Sequence, residues 1–209
     1  MKATIENLFT DHEIVTKIQE KLPKFFQLAE LETMRGGKVG MEVGSLREKI
    51  LIALLIHKFG EENVKTDIPI TETEADVYVF DAPYSIKTLS NTLSGLKLIW
   101  TVDAESSLKF SQEYEPSCDM LFVHVHWGKQ GGVYCITKKI QLEVFNLLGR
   151  TEYIKLPKAG TNPRGVEMTG KALKLLVEHP EILKIIVNWQ KENIHFDTFK
   201  RWVELWEKS

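Results

Sequence analysis

Three ionisable residues, met in order along the chain, have the types that can hold a divalent cation and activate a water. Glu48 lies in an apolar stretch predicted to be helical, Asp76 on a predicted strand, and Lys87 on the next predicted strand. Asp76 shares its strand face with aromatic side chains, so its carboxylate is expected to be partly buried, and an unpaired buried carboxylate is costly. A cation between Glu48 and Asp76, with Lys87 beside it, would relieve that cost.

Magnesium suits such a site because Mg²⁺ binds through a few carboxylate oxygens, keeps several waters, and often takes a substrate phosphate as a further ligand. Lys87 could then orient or deprotonate the water that attacks phosphorus. The alternative is a buried Asp76–Lys87 salt bridge with Glu48 simply solvated, and spacing alone leaves both open. Asp81 is a rival ligand, although its place in an Asp-Ala-Pro turn favours a turn-forming role.

The elements that must position these residues can be predicted from periodicity and turn residues. A helix is expected over residues 4–32 with an interruption near Pro23, a glycine-rich loop over 34–44, and a helix from an N-cap at Ser45 to Gly60. Strands are predicted in KTDIPI, ADVYVF, SIKTLS, MLFVHVHWG and GGVYCITKKI, and further helices in QLEVFNLLG, KALKLLVEHP, PEILKIIVNWQKENI and FDTFKRWVELWEKS. This order predicts one mixed α/β (α+β) domain over 1–209, with helical extensions at both ends and a central mixed sheet of about five strands flanked by helices.

Composition excludes several classes of protein. The chain has 209 residues and a net charge of −2, and its longest apolar run, ILIALLI at 50–56, is too short to cross a bilayer. The start lacks the apolar core of a signal peptide, and only two cysteines occur, both in strand-like sequence. We therefore expect a cytoplasmic protein with no membrane partner and no disulfide.

Positive charge is concentrated in two segments although the whole chain is slightly acidic. The stretch from Arg150 to Lys174 holds six basic residues and two acidic ones, and Arg35 and Lys38 lie in the glycine-rich loop. Such a distribution is compatible with nucleic-acid binding by one surface of the protein.

A resemblance follows from these residues. The order helix Glu, strand Asp, next-strand Lys resembles the core of PD-(D/E)XK nucleases. The chain resembles type II restriction endonucleases of that superfamily, and among them those that cut the palindrome CGCG. The resemblance covers roughly residues 45–170 and is carried by the stretches SLREKI, TEADVYVF, YSIKT and GTNPRGVEMT. The resemblance implies a restriction-endonuclease-like core, Mg²⁺ as cofactor, double-stranded DNA as substrate, a homodimer, and 5′-phosphate and 3′-hydroxyl products.

Two departures from the superfamily pattern shape the expected site. Ala75 precedes Asp76 where proline is usual, and Ser85 stands two residues before Lys87 where an acid is usual. The resemblance therefore implies that Glu48 supplies the second metal carboxylate and that Lys87 is the catalytic lysine of a one-metal site. Ser85 becomes a DNA-facing position whose hydroxyl could at most bond a metal-bound water.

The remaining candidates concern DNA contact. Arg164 and Asn162, in a predicted loop opening a helix, suit base edges, whereas Lys155, Lys158 and Lys171 suit phosphates; the alternative is an ordinary exposed basic loop.

Met41, just before the predicted helix, is a candidate apolar wedge between base steps, because proteins that enter the minor groove often insert such side chains. The alternative is that Met34 and Met41 both pack beneath the sheet. His124 and His126 could form half a metal site, although a core or DNA-facing role is the better prediction because no third ligand has suitable spacing. Two other functions stay open: a non-specific or repair nuclease of the same fold, and a non-catalytic DNA-binding module.

Overall fold

The computed structural model describes residues 4–69, 74–158, 160 and 164–208. The helices are α1 (Asn7–Thr10), α2 (His12–Glu32), α3 (Val43–Phe59), α4 (Ala104–Glu113), α5 (Lys138–Leu148), α6 (Arg150–Tyr153), α7 (Gly170–Val177) and α8 (Lys200–Glu207). The strands are β1 (Met34–Arg35), β2 (Lys38–Val39), β3 (Val64–Lys65), β4 (Val77–Val79), β5 (Ala82–Ser90), β6 (Gly95–Thr101), β7 (Asp119–Val125), β8 (Gln130–Ile136), β9 (Ile154–Lys155), β10 (Arg164–Thr169) and β11 (Leu183–Asn188). Along these described ranges, no helix is long and apolar enough to cross a bilayer.

The central sheet has six strands in the order β11-β8-β7-β5-β4-β3. Strands β5 and β7 are parallel, whereas the other neighbouring pairs are antiparallel. The predicted mixed α+β fold with a central mixed sheet flanked by helices is therefore confirmed.

The sheet separates two apolar cores because successive side chains of a strand point to opposite faces. Leu121 and Val123 of β7 face a core shared with α1, α2 and α3. Met120 and Phe122 of the same strand face a second core, shared with α5, α7 and the small sheet β6-β10-β9. The part of the sheet that contains β4 and β5 is thus held against α3 on one face.

Strand β11 corrects the prediction of a helix in PEILKIIVNWQKENI. Ile185 and Val187 are buried, and the residues between and beside them are exposed, which is the period of two of a strand. A short apolar run does not by itself distinguish a strand from a buried helix. Pairing with β8 decides for the strand, because it satisfies the backbone groups of both.

Strand β10 corrects the predicted basic loop. Arg164 begins this strand and pairs with Thr101 of β6, so Arg164 does not lie in a loop that opens a helix. The residues of β10 pair with β6 on one side and with β9 on the other. These partners are distant in sequence, so local turn signals gave no indication of the strand.

Three local boundaries also differ from the prediction. Helix α2 continues through Pro23, where packing of the buried Leu22 and Phe26 holds the helix together. Helix α3 begins at Val43, before the predicted cap at Ser45. The glycine-rich loop contains the hairpin β1–β2, whose turn residues Gly36 and Gly37 have φ values of 57° and 77° and so require the left-handed region.

Candidate active site

Helix α3 carries Glu48, whose charge interacts with Asp76 and Lys87 at the central sheet. The helix ends at Gly60, which has a φ of 88°, and buries Leu51 and Leu55 in the core beside the sheet. Glu48 lies one residue after the fully buried Arg47, and its own side chain is half-buried. The helix therefore fixes the backbone from which the Glu48 carboxylate reaches its neighbours.

The hairpin β4–β5 presents Asp76 and Lys87. Its turn residues Phe80 and Asp81 have φ values of 51° and 65°, as in tight hairpin turns. Asp76 directly precedes β4, and its backbone N–H donates to the Tyr84 carbonyl at 2.8 Å.

The carboxylate of Asp76 is held from the neighbouring strand. Its Oδ2 accepts from the backbone N–H of Ile86 at 2.6 Å and from Lys87 Nζ at 2.9 Å. The Asp76 and Lys87 side chains are 25% and 20% exposed, so substrate can still approach this pair from solvent.

The electrostatics join Glu48 to that pair. Burial raises the pKa of Glu48 above its ordinary value, and the negative charge of Asp76 raises it further. Lys87, together with Lys49, lowers the same pKa and offsets these effects only in part. The structure thus brings together two carboxylates whose mutual repulsion one lysine partly relieves.

This donor set fits Mg²⁺. Among the described residues, no group of three or more His, Cys, Asp or Glu side chains is arranged to hold a metal. Two adjacent carboxylates suffice for an ion that keeps several waters in its shell. Since Asp76 Oδ2 already accepts two hydrogen bonds, its second oxygen is the better placed for a cation.

The rival metal ligands lie in other surroundings. Asp81 is at the hairpin turn, where Lys65 Nζ donates to its Oδ1 at 2.5 Å. His124 Nε2 lies 2.5 Å from the Asn91 carbonyl oxygen, and the rings of His124 and His126 are 5.6 Å apart. In the part of the chain that the structure describes, no further ligand joins the two histidines.

Ser85 occupies a buried position beside the site. It is 1% exposed, and its Oγ has no hydrogen-bond partner among the described residues. The Ser85 side chain lines a cavity of about 250 Å³, together with Lys87 and Glu74. This burial argues against a direct contact between Ser85 and DNA.

Glu74 is a neighbour that the sequence did not indicate. Its carboxylate accepts from Tyr114 Oη at 3.0 Å, from the Ser117 backbone N–H at 2.7 Å, and from the Ser117 hydroxyl. These bonds tie the segment just before Asp76 to the loop that precedes β7. Burial, and then the charge of Glu74, raises the pKa of Tyr114, so the phenol stays protonated and donates.

The DNA-contact candidates near the N-terminal hairpin are exposed. Arg35 and Lys38 lie on β1 and β2, and Arg35 Nη2 is 3.7 Å from Glu42 Oε1. Met41 follows the hairpin and is 74% exposed, so it does not pack beneath the sheet.

The second basic segment is partly neutralised by acids. Lys171 pairs with Glu152, and Lys155 Nζ lies 3.4 Å from Glu167 Oε2. Lys158 is exposed. Asn162, like the side chain of Arg164, lies outside the described residues.

A mixed sheet whose β4–β5 hairpin carries an Asp–Lys pair, with a glutamate on the helix packed against it, is the arrangement of a nuclease with a restriction-endonuclease-like fold. A model of the family described as "Restriction endonuclease ThaI" matches residues 8–208, and the chain belongs to that family.

A solved structure described as "Restriction endonuclease in complex with substrate DNA" is similar at 51% sequence identity and a TM-score of 0.91. The match covers 98% of this chain and 99% of that one. A comparison with curated proteins finds no match.

Proposed function

We propose that this chain is a Mg²⁺-dependent type II restriction endonuclease that acts as a homodimer and hydrolyses both strands of a short palindromic site in double-stranded DNA. The observation that carries the proposal is the Asp76–Lys87 ion pair, whose charges act on the half-buried carboxyl of Glu48 and shift its pKa. Family membership supports nuclease activity, and the related enzyme solved with substrate DNA supports DNA as the substrate.

Three finer points belong to the same proposal. The recognition sequence is CGCG, by resemblance to enzymes that cut it. The chain is one nuclease domain over 1–209 with helical extensions at both ends, which the family match to residues 8–208 supports. The enzyme works in the cytoplasm, where the DNA that it cuts is found.

The proposed mechanism gives each charged side chain one task. Glu48 and Asp76 hold Mg²⁺, which would supply a Lewis acid beside the attacked phosphate. Lys87 orients the attacking water or accepts its proton, and its hydrogen bond to Asp76 holds Nζ in place.

DNA contact is assigned to the two basic segments. Arg164 reads guanine from the major groove, with Asn162 as a lesser reader. The lysines at 155, 158 and 171, with Arg35 and Lys38, contact phosphates and position the protein. Met41 inserts into the base stack, which its exposure supports.

One assay separates the candidate functions. Supercoiled plasmid with CGCG sites is incubated with the protein and Mg²⁺, and EDTA is added to a parallel control. Discrete fragments that disappear with EDTA are expected. A smear would favour a non-specific nuclease, whereas retained DNA binding without any cleavage would contradict the proposal.

A further inference from the structure

The C-terminal helix α8 carries an apolar face that its own chain leaves exposed. Phe199, Trp202, Val203 and Trp206 are 72%, 51%, 50% and 90% exposed. Their spacing of three and four residues places them on one face of the helix. An eight-residue helix is too short to be stable alone in water, so α8 needs a packing partner to stay helical.

An apolar groove lies between α2 and α3. Its volume is about 440 Å³, and its apolar lining includes Ile18, Leu22, Phe25, Ile50 and Leu54. Phe25 remains 42% exposed within it. Lys17 and Lys21 also line this groove, so its apolar floor has positive charge beside it.

The chain that leads to α8 is anchored away from the groove of its own protomer. The Glu192 backbone N–H donates to Gln27 Oε1 at 2.8 Å, and Gln27 Nε2 donates to the Glu192 carbonyl at 2.7 Å. Gln27 is about 200° around the α2 axis from Phe25 at 100° per residue. To reach its own groove, the tail would have to wrap around α2.

A second molecule is within reach of the tail. The seven residues 193–199 between the Glu192 anchor and α8 contain no helix or strand. Fully extended, they span up to about 25 Å. Helix α8 can therefore extend well beyond the protomer that carries it.

We infer that α8 of each protomer docks into the α2–α3 groove of a second copy, in a reciprocal exchange. The inference rests on the proposed homodimer and specifies its interface. Glu207 borders the apolar face on the helical wheel, where it would meet Lys21 on the groove, since Lys17 already pairs with Glu13 at 2.6 Å. A two-fold axis makes both exchanges equivalent.

The exchange accounts for enough area to hold a dimer. Each arm carries three aromatic side chains, Phe199, Trp202 and Trp206, and a buried aromatic contributes about 150–250 Å². The area buried by two arms and by the two grooves that cover them together approaches the total of about 1,200–2,000 Å² that a specific interface buries.

Docking would leave the nuclease site open. Ala53 and His57, which line the groove, lie about 140° and 180° around the α3 axis from Glu48. The exchanged helix would therefore cover the side of α3 that faces away from the Asp76–Lys87 pair. Substitutions in α8 should change assembly without touching the cleavage chemistry.

Cross-linking of full-length chains tests the inference. Ala53→Cys and Lys200→Cys chains, which keep the apolar face of α8 intact, are prepared separately, mixed, and treated with a short bismaleimide; the native Cys118 and Cys135 are 4% and 1% exposed and should not react. A covalent dimer is expected in the mixture and not with either variant alone. A dimer from Lys200→Cys alone would mean that α8 packs on α8. A third chain carries both cysteines, and a cross-link within one such chain would mean docking in its own groove. No cross-link in any of these samples would mean that the groove is not used. Each of these three results overturns the inference.

A matched pair of variants gives the second readout. Trp206→Glu is expected to weaken dimerisation at least tenfold in sedimentation experiments, whereas Leu147→Glu, at a position 75% exposed on α5, should leave it unchanged. Circular dichroism checks that both fold. A Trp206→Glu protein that dimerises and cuts like the unmodified chain refutes the exchange and leaves the nuclease function standing; absence of cleavage by the unmodified chain would refute the function instead.

Discussion

Two neighbouring residues of α3, Arg47 and Glu48, enter two different ionic clusters. Arg47 is 4% exposed; its Nη2 donates to Glu30 Oε1 at 2.6 Å and its Nη1 to Ser90 Oγ at 2.9 Å. Glu30 also accepts from Trp127 Nε1 at 2.7 Å and from a lysine of the C-terminal tail. The charge of Glu48 instead interacts with the partly exposed Asp76–Lys87 pair. We call these the buried cluster and the site cluster.

The difference lies in how far each cluster satisfies its charges. In the buried cluster, three donors from three parts of the chain surround the Glu30 carboxylate. In the site cluster, Lys87 is paired with Asp76, and the pKa of Glu48 is raised by burial and by the charge of Asp76, which Lys87 offsets only in part. A buried carboxylate whose charge is compensated by Arg47 and Lys191 stabilises the packing of α3, whereas an under-compensated cluster open to solvent is suited to bind a cation.

The largest expected effect is on catalysis. Lys87→Ala should lower the single-turnover cleavage rate by about 10²–10⁴-fold, because the proposed water-orienting or proton-accepting group is lost. Stability should change by less than about 1 kcal/mol, as for other partly exposed pairs. The measurement is cleavage of a CGCG duplex at saturating enzyme, with urea unfolding of the same preparation.

Lys58→Ala is the matched control for that change. Lys58 also belongs to a partly exposed Lys–Asp pair, with Asp11, but it lies at the far end of α3. The Lys58→Ala protein should cleave DNA at the same rate as the unmodified chain. Full-rate cleavage by Lys87→Ala would remove Lys87 from the mechanism.

The second effect should be on stability and should come from the buried cluster. Glu30→Gln leaves the Arg47 guanidinium buried without its counter-charge, and such a loss costs about 3–5 kcal/mol. Urea unfolding measures it. A loss as large for Lys87→Ala as for Glu30→Gln would abolish the distinction between the two clusters.

The site cluster was more accessible to sequence reasoning than the buried one. Glu48, Asp76 and Lys87 belong to elements with strong local patterns, and the mixed fold that those patterns predicted is confirmed; the roles of the three residues remain a prediction. The Glu30–Arg47 contact joins α2 to α3 and depends on how the two helices pack, which single-sequence periodicity does not contain. The same reason explains β10, whose strand character comes from a partner about seventy residues earlier along the chain.

A smaller effect is expected where the buried cluster touches the strand that carries Lys87. Ser90→Ala removes the acceptor of Arg47 Nη1, and an unsatisfied buried donor costs about 1–3 kcal/mol. Ser111→Ala is the control, since it removes a hydroxyl bond to the Leu108 carbonyl outside both clusters. We expect the two clusters to be independent, so Ser90→Ala should leave the Mg²⁺ concentration for half-maximal cleavage unchanged. A shift in that concentration would show that the buried cluster sets the geometry of the site.

The smallest effect should come from the titration of Glu48, because its carboxyl is only half-buried. The folded chain holds this proton more tightly than the unfolded chain does, since the pKa of Glu48 is raised by burial and by the charge of Asp76. The contribution of Glu48 to the free energy of unfolding should therefore fall as pH rises from the ordinary glutamate pKa to the raised one, and stay constant above it. Mg²⁺ needs the deprotonated carboxylate, so its affinity should weaken as pH falls through the raised pKa. Calorimetric titration at several pH values measures the affinity for Mg²⁺, and urea unfolding at the same pH values measures stability. Each is compared between the unmodified chain and Glu48→Gln. Equal pH slopes in the two proteins would mean that Glu48 is solvated and takes no part in the site cluster.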